Sequence, residues 1–206
     1  MNKIKINEIF WSAQGEGFRK GYPSIFIRVT GCSLRCDYCD SKNSWEEGKF
    51  LTENEILSEV EKLMGKYPGS QVVFTGGEPL EHKIDSVAEK LKNAGYYLAV
   101  ETSGIFNSDI KFNWWTVSPK DKNNFKIDKG IQGKISEIKL IVNKNLNTNA
   151  IKKITDGLES VPVYLQPQFP YPYRYKKTFE LFEACIREGI GNVRVGDQMH
   201  RHFDIR

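Results

Sequence analysis

The sequence predicts an α/β fold, an incomplete (partial) TIM-like β/α barrel of about six parallel strands with a reduced set of helices. Three observations predict it. Short β-branched runs alternate with stretches of helical period, the polar clusters fall just past the C-terminal ends of those runs, and two of the crossovers lack a helical period. A complete barrel takes about 250 residues, so a chain of 206 residues suits one domain, 1–206, with part of the barrel left out.

Taken in order, an N-terminal run covers Ile4 to Phe10, and SIFIRVT at Ser24 to Thr30 leads directly into a cysteine cluster. Thr52 and Glu55 form a T-x-x-E capping box ahead of Ile56, Leu57, Val60, Leu63 and Met64 at helical spacing. QVVF at Gln71 to Phe74 ends in TGGEP, and Ile84, Val87, Ala88 and Leu91 mark a helix for which Gly95 is the stop. Tyr96 to Val100 runs into ETSG, Trp114 to Val117 into SPK, Glu137 to Val142 into Asn143, and Val161 to Leu165 into QPQ. Ile151, Ile154 and Leu158 place a helix between the last two strands. Phe179, Leu181, Phe182 and Ile186 mark a final helix before VRV at Val193 to Val195. Helical period is missing from Gly104 to Phe112 and from Asp121 to Lys134. The stretch from Pro167 to Tyr175 reads as a structured loop after a strand in preference to a polyproline ligand.

Composition narrows the function. With 30 Lys and Arg against 26 Asp and Glu the net charge is +4, too mild to announce nucleic acid. A hydrophobic fraction of 39% supports a buried core and excludes global disorder. MNKIKINEIF lacks the apolar stretch of a secretory signal, and no run approaches the roughly 18 apolar residues of a membrane helix. The expectation is a cytoplasmic protein with no membrane contact.

Three of the four cysteines, Cys32, Cys36 and Cys39, crowd into GCSLRCDYC, a C-x3-C-x2-C spacing. Three thiolates can hold three irons of a cubane cluster and leave the fourth iron open, which suits a cluster that binds a ligand. The alternatives are zinc, which normally wants a fourth Cys or His nearby, and three structural thiols. The histidine nearest in sequence is His82. Cys185 falls at an apolar position of the last helix and reads as a core thiol.

This triplet after the first barrel strand, followed one helix later by a Gly-Gly-Glu strand end, resembles the radical S-adenosylmethionine superfamily. The resemblance implies a 4Fe-4S cluster whose open iron is chelated by the methionyl amine and carboxylate of S-adenosylmethionine. One electron then cleaves the sulfonium to a 5′-deoxyadenosyl radical. Gly76 and Gly77 fit, since a backbone without Cβ lets the methionyl group approach closely. A narrower resemblance covers nearly the whole chain. EIFWSAQGEG, IFIRVTGCSLRCDYCDSKNSW, VFTGGEPL, VETSG, TVSPK, EIKLIV, YLQP and QMHRHFDIR are similar in order and spacing to the 7-carboxy-7-deazaguanine synthase family. The QGEG loop ahead of the cysteines and C-D-[ST]-x3-W after them are the discriminating blocks.

The resemblance implies Mg²⁺-dependent conversion of 6-carboxy-5,6,7,8-tetrahydropterin to 7-carboxy-7-deazaguanine with loss of ammonia, in queuosine and 7-deazapurine synthesis. The radical takes the C6 hydrogen, the ring contracts, and the hydrogen is returned. Residue by residue, it makes Gln14 and Glu16 pterin-edge partners with Ala13 and Gly15 alongside, and gives Arg28, Thr75 and His200 as substrate contacts. A carboxylate accepts from the guanidine-like N–H pair of a pterin, and a planar guanidinium suits the substrate carboxylate. The bland readings are an outward-facing strand position for Arg28 and a structural role for His200. The last residue, Arg206, stands where relatives place a terminal carboxylate against substrate, although its side chain here is basic. Ser41, in place of an expected threonine, is the implied Mg²⁺ ligand, with Asp40 either reinforcing the site or forming a turn.

For S-adenosylmethionine the implied contacts are Tyr38, Cys39 and Asp40 at the adenine and Gly77 at the methionyl group. Ser103 is a further polar contact. Ser118, Pro119 and Lys120 lie near the ribose and carboxylate, and Gln166, Pro167, Gln168 and Phe169 close over the nucleoside. Lys120 is otherwise one more solvated lysine of a Lys-rich loop. The resemblance also implies a flavodoxin- or ferredoxin-like electron donor, a homodimer, and no direct contact with nucleic acid. The competing readings are a glycyl-radical enzyme activase, disfavoured by the small frame of Gln14, Glu16 and Arg28, and a non-catalytic zinc or iron–sulfur module.

Overall fold

The computed structural model describes residues 3–168 and 173–206. Its strands are β1 (Lys3–Ala13), β2 (Pro23–Val29), β3 (Lys49–Thr52), β4 (Gln71–Gly76), β5 (Leu98–Thr102), β6 (Trp114–Val117), β7 (Glu137–Val142), β8 (Val163–Pro167) and β9 (Val193–Val195). They form one sheet in the order β3-β1-β2-β4-β5-β6-β7-β8-β9. Every neighbouring pair from β2 onward is parallel, so β2 and β4 to β8 supply the expected six strands and the three-residue β9 adds a short seventh. Two strands extend the sheet antiparallel. β1 pairs with β2, and β3, which no periodicity announces, pairs with the first residues of β1.

The helices are α1 (Glu53–Lys66), α2 (Asp85–Asn93), α3 (Thr148–Thr155), α4 (Tyr173–Arg187) and the single turn α5 (Met199–His202). α1 starts on the full capping box, with the Glu55 amide donating to the Thr52 hydroxyl and the Thr52 amide to the Glu55 carboxylate. α2 stops before Gly95, which takes a φ of 84° that glycine adopts without strain. Only 3-10 turns, at Asp121–Asn123 and Lys129–Lys134, stand among the described residues where the second crossover lacks helical period, and no helix joins β5 to β6.

Side-chain alternation divides the strands into two faces. Ile25, Ile27, Val72, Phe74, Leu98, Val100, Ile138, Leu140, Val163 and Leu165 point outward into one core shared with Ile56, Val60, Val87, Leu91 and Ile151 of the helices. The opposite face lines the barrel interior. There Phe10, Phe26, Val73 and Ala99 make a small apolar floor, with the Phe10 and Phe26 rings stacked at 5.1 Å. Above the floor the register sets Arg28 beside Thr75 and Glu101 beside Thr116, so one more strand step changes the interior from apolar to polar.

Two sequence readings need correction. In α4 Leu181, Phe182 and the fully buried Cys185 turn inward as expected, joined by Thr178 at 0% exposure, whereas Phe179 and Ile186 are exposed. Apolar residues occur on both sides of α4, so its apolar period identifies a helix without identifying its core face. Burial pushes the Cys185 thiol up to about 11, as suits an inert core position. The strand expected from Tyr96 begins at Leu98, and Tyr97 instead stacks under the Arg19 guanidinium at 4.3 Å.

Candidate active site

The interior opens at the C-terminal ends of the parallel strands into a cavity of about 350 Å³. Of the site residues expected from sequence, Pro119 and Gln166 are buried behind the cavity wall and Phe169 lies outside the described residues. All the others line this one cavity.

The QGEG loop, between β1 and β2, reaches in from the antiparallel side. Gly17 has a φ of +69°, and a Cβ there would stand 2.4 Å from Oε1 of Glu137. Glu137 in turn accepts from the Phe18 amide at 2.6 Å and the Thr116 hydroxyl at 2.7 Å, which fixes the loop against β6 and β7. Thus anchored, Gln14 donates from Nε2 to Oε1 of Glu101 at 2.9 Å, and the Thr75 hydroxyl donates to Oε2 of Glu101 at 2.9 Å. Glu16 pairs with Lys139 of β7 and accepts from Nε2 of Gln198 at 2.6 Å. The His200 ring packs directly on Gly15, where a Cβ would fall 2.1 Å from Nδ1, and the Met199 amide donates to the Gly15 carbonyl at 2.9 Å. Burial lowers the basicity of His200 against the pull of Glu16.

Arg28 faces the same space from β2. Its Nε pairs with Glu8 at 2.9 Å, and its Nη1 donates to the Ser41 hydroxyl at 3.0 Å. Arg206 reaches the other Glu8 oxygen at 2.5 Å and lies over the Phe10 ring, while the Ser12 hydroxyl donates to the Arg206 carbonyl oxygen at 2.6 Å. Glu8 therefore joins Arg28 to the end of the chain.

The cysteine loop lies above. Its thiols are free, Cys36 buried and Cys32 and Cys39 half-buried, and the Cys39 amide closes a turn onto the Cys36 carbonyl at 3.0 Å. Burial pushes the Cys36 and Cys39 thiols up, and the Lys120 ammonium opposes it at both. Tyr38 donates to Asp121 at 2.7 Å, and Asp121 also accepts from Asn143 and Asn145, so the loop is tied to the ends of β6 and β7. The Gly-Gly-Glu end of β4 supports the loop from beneath. A Cβ on Gly77 would stand 1.9 Å from the Gly31 carbonyl oxygen, and one on Gly76 would stand 2.4 Å from that of Val29. These glycines therefore serve contact between backbones, a cause beside the ligand approach expected of them, and both also line the cavity. Glu78 is buried and accepts from the Thr102 hydroxyl at 2.6 Å, the Ser103 amide at 2.7 Å and the Ser103 hydroxyl at 2.5 Å.

The donor sets fit the groups that the sequence implies. Among the described residues no three Cys, His, Asp or Glu side chains meet as ligands of a single ion. A cubane cluster does not require that, because each thiolate takes a different iron. For S-adenosylmethionine, Lys120 faces the cavity beside Cys36 and Cys39, its ammonium made less basic by burial and by Lys139. Gln166 is fully buried, with neither amide atom partnered among the described residues. For a hard cation, Ser41 keeps a lone pair beyond its bonds to Arg28 and to Asp40 at 3.1 Å, with the Asp40 carboxylate adjacent.

Glu101, Lys139, Thr116 and Gln198 belong to the cavity wall without having been singled out from sequence. A signal for two of them was there. LAVET and EIKLIV are buried parallel strands, which should be apolar throughout, yet at interior-facing positions the first carries Glu101 and the second both Glu137 and Lys139.

A cubane-spaced cysteine loop on a partial parallel barrel, with its cavity at the strand C-termini, defines a radical S-adenosylmethionine enzyme. The family model for the radical SAM superfamily matches residues 26–113. The 7-carboxy-7-deazaguanine synthase of Aquifex aeolicus is 31% identical over 98% of this chain and 94% of its own length, and that of Synechocystis is 34% identical over 98% and 93%. The enzyme of the same name from Bacteroides thetaiotaomicron is 44% identical over 56% of this chain and 60% of its own length. The crystal structure of QueE from Escherichia coli superposes with a TM-score of 0.74 at 26% identity, covering 96% of this chain and 95% of that one. The chain belongs to the 7-carboxy-7-deazaguanine synthase family, whose members are carbon–nitrogen lyases that use a 4Fe-4S cluster and S-adenosylmethionine.

Proposed function

We propose the residue roles by which this chain carries out the family's ring contraction of 6-carboxy-5,6,7,8-tetrahydropterin to 7-carboxy-7-deazaguanine with loss of ammonia. The observation that carries the reading is the pair of carboxylates, Glu16 and Glu101, held opposite Arg28 in one cavity beneath a three-thiol loop. An ionised carboxylate only accepts hydrogen bonds, so Glu16 and Glu101 suit the N–H-rich edges of a reduced pterin. Arg28, braced by Glu8, presents a planar cation to the substrate carboxylate. His200 covers the Gly15 side of the ring, and Thr75 braces Glu101.

Cys32, Cys36 and Cys39 would hold the cluster, which together with S-adenosylmethionine supplies a hydrogen-abstracting radical. Lys120 is the counter-charge for the methionyl carboxylate, Gly77 and Ser103 border that group, and Pro167 and Gln168, backed by Gln166, close the nucleoside side. Ser41, with Asp40, would hold Mg²⁺ next to the substrate carboxylate. A homodimer, a flavodoxin- or ferredoxin-like donor and a cytoplasmic setting complete the proposal, and they rest on the family resemblance. No helix among the described residues is long and apolar enough to cross a membrane.

The test is anaerobic turnover of the reconstituted, reduced enzyme with 6-carboxytetrahydropterin, S-adenosylmethionine and Mg²⁺. Stoichiometric ammonia and 7-carboxy-7-deazaguanine are expected. Cleavage of S-adenosylmethionine without ammonia release would sink the assignment.

A further inference from the structure

Lys139 has no role in the chemistry described so far, yet it lines the same cavity as Glu16 and Glu101. It projects inward from β7, where Ile138, Leu140 and Val142 face the core, and its side chain is 11% exposed against 10% for its partner Glu16. A buried ammonium is costly unless it is paired, and an apolar side chain would fill a strand interior at no such cost. The pairing is lopsided. Lys139 contacts Glu16 directly, and Glu101 and Asp40 also act on it, so its proton is held well above the ordinary lysine range despite burial. At Glu101, burial works to raise the carboxyl. The field of Lys139, with the bonds from Thr75 and Gln14, outweighs it and keeps the group below the usual range.

We propose that Lys139 is a positioning residue for the pterin: its ammonium fixes Glu16 in place by direct pairing and keeps Glu101 acceptor-only for the donor edges of the substrate. A protonated carboxyl would turn one acceptor into a donor aimed at another donor. The inference rests on the reading of Glu16 and Glu101 as substrate partners. The titratable and charged groups that bear on it are Lys139 of β7, His200 and Arg201 of the tail, Asp40 of the cysteine loop, Arg28 of β2 and Lys120 beyond β6, and the neutral Gln198 amide donates to Glu16.

The test is calorimetric binding of 6-carboxytetrahydropterin to anaerobic holoenzyme with S-adenosylmethionine and Mg²⁺ but no reductant, so that nothing turns over. Lys139→Met is expected to weaken binding about thirtyfold at neutral pH, whereas Lys139→Arg stays within about threefold. Loss of the cation lets the Glu101 carboxyl rise, so the Lys139→Met defect shrinks as pH increases from 6 to 9. The shift exceeds any in wild type, which carries the same His200. In a Glu16→Gln background, Lys139→Met is expected to cost less than in wild type, the non-additivity of a residue acting through its neighbour, and the remaining loss keeps the pH dependence that Glu101 carries. Unchanged binding, a loss equal at every pH, or additive losses with Glu16→Gln would each overturn the proposal. Should Lys139→Met fail to fold, Lys139→Gln and Lys139→Arg carry the same comparison, and a Lys139→Arg loss as deep as that of Lys139→Gln overturns it. If the wild type itself neither binds the pterin nor releases ammonia, the substrate reading falls first and takes this one with it. Wild-type turnover with pH-independent variants sinks the role of Lys139 alone.

Discussion

At Gly77 a missing Cβ separates two explanations of the same residue. The sequence suggests a glycine that admits a ligand, and the structure places the Gly31 carbonyl where the Cβ would be. Because the obstacle is backbone, no rotamer change relieves it, and the cysteine loop has to move. Gly77→Ala is therefore expected to cost about 1–3 kcal/mol in thermal unfolding and to lower the iron content after reconstitution. Normal stability with full iron occupancy would show that the loop yields freely. Glu101 and Lys139 carry the converse lesson. Their letters stand in plain view within otherwise apolar strands, but a charged residue in a strand does not reveal which partner neutralises it. Gln14 comes from 87 positions away in the chain to meet Glu101, and Glu16 from 123 positions away to meet Lys139.

Elements whose cause is local were legible, and those whose cause is distant were not. α1 is announced by its own capping box, and the structure contains both arms of it. Thr52→Ala removes the hydroxyl that accepts from the Glu55 amide, at a cost of about 1 kcal/mol. In a chain of this size that is a fall in Tm of about 2–4 °C, with turnover unchanged because α1 lies on the outer side of the sheet. A drop in turnover per folded enzyme would contradict that placement. β3 could not be read, since KFLT has neither alternation nor turn signals and becomes a strand only by pairing with Lys3 to Ile6. The crossovers without helical period lack full helices, and the sequence shows this because absence of period is itself a local property.

For the whole molecule, the sheet order leaves β3 and β9 as opposite edges, so the barrel does not close by strand pairing. Contacts from the QGEG loop and the tail span the gap. Glu16 reaches Lys139, Met199 reaches Gly15, and Arg206 reaches Glu8 beside Arg28. The Arg206 side chain is 69% exposed, so its ion pair contributes little to stability, about 0–1 kcal/mol. Deleting residues 203–206 is accordingly expected to leave Tm nearly unchanged. It should raise the KM for the pterin about tenfold, as expected for a lost charge-assisted contact beside Arg28. A large fall in Tm, or an unchanged KM, would show that the tail serves the fold and not the site. The net charge of +4 is incidental at this scale, because the charges that matter are a few buried ones facing each other across the interior.

By itself the sequence determined the class of fold, the place of the cavity and more than half of its wall. Strand periodicity, capping boxes and cysteine spacing depend on residues close together in the chain, and strand C-termini in a parallel sheet have to face one mouth. Tertiary structure alone decided the charge pairing inside the cavity, the backbone contact that demands Gly77, the burial of Thr178 in α4 and the tail that bridges the open edge. Each of those depends on which distant residues the completed sheet brings within a few ångströms, where burial magnifies a single charge or a single missing Cβ.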